Sequence, residues 1–165
     1  MTRPLLIVGA LALVATQALA QMPPRSKVAT ATATASPAAV ARGGKGVLTV
    51  TVSVAPQFHI NANKPNDKDL IPTVVEPVLV SRATNPGVTF GVPRYPAAKA
   101  IHVSYEKQPM LVYTGRSVIT VPFTVARTAR PGPVAIGAIV RYQGCNATSC
   151  FPPSSAPVRA TVTIR

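Results

Sequence analysis

The sequence predicts an all-β domain, an immunoglobulin-like β-sandwich, on three observations. Apolar and polar residues alternate with a period of two over several runs, and no window repeats convincingly at a helical spacing. The runs are rich in Val, Ile and Thr, whose branched Cβ atoms suit a pleated, half-buried surface. Between them fall many of the chain's 18 prolines and 10 glycines, which divide it into short strands and turns.

Taken in order, residues 1–20 read as a cleaved signal peptide: basic Arg3, an apolar run, and Ala18-Leu19-Ala20 in the small-x-small pattern of a peptidase site. The apolar run is shorter than the roughly 20 residues that span a bilayer, and no later run is long enough. The mature chain is therefore expected outside the cytoplasm, without a membrane span. Residues 21–41, dominated by Ala, Thr, Ser and Pro, read as a flexible leader. The domain is expected over 42–165. Its clearest strands are 46–55, where Leu48, Val50, Val52 and Val54 share a face, and 117–126, where Ile119, Val121, Phe123 and Val125 do. Two more are 133–143, with Val134, Ile136, Ala138, Val140 and Tyr142, and 157–165, with Val158, Ala160, Val162 and Ile164. Shorter candidates are 58–62, 73–80, 87–92, 101–105 and 111–114. Pro77 and Pro122 place their strands at an edge or a bulge, because proline donates no ladder hydrogen bond.

The formal charge of +13 would attract nucleic acid, anionic lipid or an acidic protein surface. Nucleic acid is not expected. The chain has 5% aromatics and no Trp, and its Lys and Arg are scattered rather than interleaved with stacking residues. Asp67 and Asp69 stand in a Lys-rich loop and read as solvated turn residues. No phosphate loop, nucleophile elbow or metalloprotease helix is present.

The chemistry concentrates in YQGCNATSCFPP, residues 142–153, which holds both cysteines. A bridge from Cys145 to Cys150 would close about six residues and remove only about 2 kcal/mol of unfolded-state freedom, a weak staple. Short, exposed bridges at a sandwich rim are the kind that exchange. A static disulfide and a redox pair both remain open on these residues. A metal site would have to draw on His59, His102 or Met110, which show no short ligand spacing. His59 and His102 read as ordinary strand residues.

YQGCNATSCFPP, with HINANKP at 59–65, IPT at 71–73, Tyr95-Pro96, VYTG at 112–115 and Pro131-Gly132, resembles the periplasmic N-terminal domain of the disulfide reductase DsbD. The resemblance runs from about residue 40 to 165, and YQ-x-C-x(4)-C-x-PP is its specific part. It implies an immunoglobulin-like sandwich that relays electrons by thiol-disulfide exchange of the protein-disulfide reductase type, in the periplasm, with no cofactor and no metal beyond its own dithiol. The implied partners are thioredoxin-fold proteins of disulfide isomerisation or cytochrome c maturation, and a membrane-embedded or thioredoxin-like electron donor. Because the sequence ends at Arg165, that donor is expected to act in trans. Carried over, Cys150 forms the mixed disulfide with partners and Cys145 resolves it. The family's aromatic cap has its counterpart in 104–113, offering Tyr105, Met110 or Tyr113 as the cover, while Tyr142 and Gln143 support the cysteine turn. The region carries one acid, Glu106, so the acid-base help of relatives is not evident. The competing reading is an immunoglobulin-like interaction module whose disulfide never turns over.

Overall fold

The computed structural model describes residues 28–80 and 87–165, and the expected signal peptide lies outside them. Twelve strands run through the described residues: β1 (Ala29–Ser36), β2 (Ala39–Val40), β3 (Lys45–Val54), β4 (His59–Asn61), β5 (Val74–Leu79), β6 (Val88–Phe90), β7 (Lys99–Ile101), β8 (Met110–Tyr113), β9 (Arg116–Val125), β10 (Gly132–Tyr142), β11 (Gly144–Cys145) and β12 (Ser154–Ile164). They form three four-stranded sheets with orders β1-β3-β9-β6, β2-β12-β10-β5 and β11-β4-β8-β7.

The two larger sheets share the core that the alternation predicts. Leu48, Val50, Val52, Ile119, Val121 and Phe123 from β3 and β9 are buried, as are Val134, Ile136, Ala138, Val140, Val158 and Val162 from β10 and β12. The intervening Thr and Arg residues face outward or stand half-buried. Each fully buried Val, Leu or Ile contributes about 1.5–3 kcal/mol relative to leaving it exposed, so this double layer carries the fold. β10 and β12 pack so closely that a Cβ at Gly137 would overlap the Val158 carbonyl oxygen.

Two departures from the expected elements stand out. The leader does not extend to residue 41: Ala29–Ser36 form β1, paired antiparallel with β3 from Ala29–Val54 to Ser36–Val47, and Ala39–Val40 pair with the end of β12. Along β1 the Ala residues turn toward the core and the Thr residues face solvent, a true period of two. Methyl groups signal burial so weakly that the run reads as low complexity. The strand expected at 101–105 ends instead at Ile101, where β7 stops, and 102–109 is an irregular crossover to β8.

Pro77 does lie in an edge strand, β5. Pro122, by contrast, lies in β9, which has neighbours on both sides. It is accommodated where the β6 ladder runs out: Gly91 N–H donates to Pro122 O at 2.8 Å, and pairing resumes only at Arg94–Thr120. The third sheet is made of short strands, and its β11 carries Cys145.

Candidate functional site

β10 ends at Tyr142, and the chain turns through Gln143 into the two-residue strand β11. Gly144 is required there, because a Cβ would overlap Val28 Cγ1. β11 pairs antiparallel with β4, setting Gly144 opposite Ile60 and Cys145 opposite His59. Alternation along β4 then puts His59 and Asn61 on one face and Ile60 on the other. His59 and Asn61 are both buried polar residues.

Cys145 and Cys150 are joined by a disulfide across the mouth of a tight hairpin, with their Cα atoms 4.0 Å apart. Asn146 organises the turn: its Oδ1 accepts from Thr148 N–H at 2.9 Å and Ser149 N–H at 2.8 Å, an Asx arrangement. Asn146 N–H donates to Ser149 O at 2.9 Å, and Phe151 N–H donates to Gly144 O at 2.8 Å, closing the hairpin on itself. The two sulfurs are not equivalent. Cys145 is 0% exposed and tied into the sheet, whereas Cys150 is partly exposed on the outgoing limb.

Tyr105, from the 102–109 crossover, stands over this hairpin. Its hydroxyl donates to Asn146 O at 3.2 Å, lies 3.7 Å from Cys150 Sγ and 3.4 Å from His59 Nε2. Ser104 Oγ donates to Ala147 O at 3.3 Å, so the crossover is fastened to the turn at two points. Burial, and then the negative charge of Glu106, raise the Tyr105 pKa above 10.0, which keeps the phenol protonated. Burial pushes His59 the other way, below 6.5, so its imidazole is neutral near pH 7.

The remaining candidates divide by position. Gln143 reaches the turn, with Nε2 donating to Phe151 O at 3.1 Å while its Oε1 accepts from Asn61 Nδ2 at 3.4 Å. Tyr142 anchors the end of β10 to β1 through its hydroxyl, which donates to Ala29 O at 3.1 Å. Met110 is buried at the start of β8. Tyr113, on the same strand, donates its hydroxyl hydrogen to Asn63 Oδ1 at 2.6 Å. Of the three aromatic or thioether candidates for a cover, Tyr105 is the one whose polar atom meets a cysteine sulfur.

Sequence reasoning reads His59 as an ordinary strand residue, and it does stand in β4; what that reading leaves out is its burial and its register partner, Cys145. Sequence reasoning also gives Asn146 no role in the turn, and none to Phe58, whose ring stands 5.9 Å from that of Phe151 beside the hairpin. A usable signal was present for His59 alone, in the HINANKP stretch. His102, expected in a strand, lies exposed on the crossover instead, because β7 ends at Ile101. Among the described residues no three His, Cys, Asp or Glu side chains converge as a metal site would require, and no helix is long and apolar enough to cross a membrane.

A buried cysteine pinned in a sheet, bridged to a partly exposed one beneath a tyrosine, is an arrangement suited to exchange with a foreign thiol. The protein family described as thiol:disulfide interchange protein DsbD, N-terminal, matches residues 27–161. This chain belongs to that family. It is a thiol-disulfide interchange domain with the family's immunoglobulin-like fold. No curated protein sequence matches it significantly. Among solved structures it is similar to the N-terminal periplasmic domain of ScsB from Proteus mirabilis, with a TM-score of 0.53 and 12% identity. That match covers 84% of this chain and 48% of the other, so the chain spans about half the length of that ScsB domain. It is also similar to the reduced form of the DsbD N-terminal domain from Neisseria meningitidis, at 16% identity and a TM-score of 0.42, covering 72% of this chain and 82% of that one.

Proposed function

We propose that this DsbD-type domain works in the periplasm as an electron carrier, cycling Cys145 and Cys150 between dithiol and disulfide against thioredoxin-fold partner proteins. Cys150 is the sulfur that forms the mixed disulfide, and Cys145 is the thiol that resolves it. The observation that supports this most directly is the asymmetry of the pair. Cys150 is partly exposed, whereas Cys145 is held by β4 with no surface of its own. A foreign thiolate must approach along the axis of the bond it breaks, so it meets the sulfur of Cys150 first.

In this reading Tyr105 is the cover. Its ring rests against the turn through a single hydroxyl, and Ser104 adds one further hydrogen bond. Such a contact opens at the cost of two hydrogen bonds, each worth about 1 kcal/mol net. Gln143 and Asn61 form the polar floor that fixes the outgoing limb.

The test is trapping. The Cys145→Ala protein should accumulate a mixed disulfide with an oxidised thioredoxin-fold protein, while Cys150→Ala should accumulate none. In parallel, the wild-type bridge should show a reduction potential above roughly −300 mV, the level below which structural disulfides sit. Failure to trap, together with a potential below that level, would leave an immunoglobulin-like interaction module with a static brace.

A further inference from the structure

Exchange requires that Cys150 lose a proton before it attacks and regain one when it leaves. The sequence offers one acid in the covering segment, Glu106, and leaves the route of that proton unassigned. Among the described residues, one hydroxyl is placed where it can serve. Tyr105 Oη is 3.7 Å from Cys150 Sγ and 3.4 Å from His59 Nε2. His59 does not depend on the mobility of a loop for its place. It is held in β4 opposite Cys145, and it is 5% exposed.

We propose that Tyr105 and His59 form a proton relay for Cys150, in which the Tyr105 hydroxyl turns its hydrogen from Asn146 O to Nε2 of His59 and passes that proton on as it accepts the thiol proton. The proposal rests on the thiol-disulfide exchange reading above. Tyr105, which touches the reacting sulfur, is the catalytic residue of the relay; His59, which acts through it, is the positioning residue. A neutral imidazole with Nδ1 protonated presents its lone pair to the tyrosine hydroxyl, and burial favours that neutral form. The phenol stays protonated, so it transmits a proton rather than storing charge.

The steps balance as follows. The Cys150 thiol gives its proton to the relay, leaving a thiolate paired with a His59 imidazolium. The thiolate attacks one sulfur of a partner protein's disulfide, forming the mixed disulfide and breaking the partner's bond. The partner's first departing thiolate takes up the proton that returns from His59. Cys145 then attacks Cys150 Sγ, and the second departing partner thiolate takes the Cys145 proton. Two electrons and two protons pass from this dithiol to the partner's disulfide. In the opposite direction the same relay protonates Cys150 as it leaves.

The titratable and charged groups around His59 are Cys145 and Cys150 from the hairpin, Tyr105 from the crossover, and Glu106, whose charge acts on Tyr105. His102 and Lys107 on the same crossover are exposed. A buried base facing one tyrosine and two cysteines gives the relay a distinct signature in pH.

The experiment uses the full chain carrying Cys145→Ala, so that Cys150 is its one thiol, and follows its alkylation by iodoacetamide from pH 5 to 10. Adding Tyr105→Phe or His59→Gln should raise the midpoint of the rate profile by about one pH unit and slow alkylation at pH 7 about tenfold. Combining the two should add little, since they interrupt one path. Unchanged midpoints overturn the relay. A faster rate at every pH with the same midpoint also overturns it, because that is what loss of a mere cover produces. Tyr105→Phe keeps the ring in place and so decides the matter even if His59→Gln fails to fold. If the midpoints shift but no thioredoxin-fold disulfide exchanges with the wild-type protein, the relay stands and the carrier function falls; exchange without a shift is the reverse.

Discussion

His59 shows how a single buried side chain sets a pH dependence. Burial holds its native pKa below the ordinary 6.5. As pH falls through 6.5, the unfolded chain binds a proton at this site before the native protein does, so stability declines until the native pKa is reached. Above 6.5 both states are neutral there and the effect vanishes. The urea midpoint of the wild type should therefore drop between pH 7 and pH 5, and His59→Gln should lose part of that drop. An identical drop in the variant would show that the ring is solvated in the folded protein. The HINANKP stretch marks this residue as part of the resemblance but says nothing of its role. Its role comes from register, which sets residue 59 opposite residue 145, and pairing over that separation cannot be read from periodicity. The cysteines and Gln143 are legible because the motif lies within one hairpin, whereas the resemblance offers Tyr105 only alongside Met110 and Tyr113.

Among the elements, the hairpin from β11 to Phe151 depends on one side chain more than on its bridge. Asn146 Oδ1 accepts from the main-chain N–H groups of Thr148 and Ser149 and from the Thr148 hydroxyl at 3.1 Å. Asn146→Ala should cost about 1 kcal/mol of stability in denaturant unfolding. It should also speed reduction of the disulfide by dithiothreitol, because the four-residue turn would no longer hold Cys150 in place. An unchanged reduction rate would mean that the turn is shaped by the cysteines themselves. The longer strands were readable because Val, Ile and Leu at every second position directly encode burial. β1 was not, because its inward residues are alanines. The strand expected at 101–105 rests on Ile101 and Val103, but the chain leaves the sheet after Ile101, and Ser104 and Tyr105 fasten it to the cysteine turn instead.

For the molecule as a whole, most of the core lies in the two large sheets, while Cys145 lies in the small third one. A bridge closing about six residues contributes about 2 kcal/mol by loop-closure entropy, a small part of what the buried double layer supplies. The reduced protein should therefore remain folded, with a cooperative thermal transition shifted downward by a few degrees. Near-ultraviolet circular dichroism and a melt in excess reductant would check this, and loss of the transition on reduction would contradict it. A carrier needs this separation of duties, since it must keep its shape in both redox states. The sandwich itself followed from alternation, β-branched content and turn spacing. The placement of the third sheet did not, because strands of two to four residues leave almost no pattern to count.

The start of the first strand also bears on the segment that leads to Cys145. Val28 fills the space beside Gly144, and the Ala29 carbonyl holds the Tyr142 hydroxyl, so the amino end of β1 props the segment from which Cys145 emerges. With alanine as its only inward contact, β1 is the lightest board in the floor. Whatever pries up its leading edge, be it tension, a fused tag or a binding protein, also unsettles the seat of the resolving cysteine.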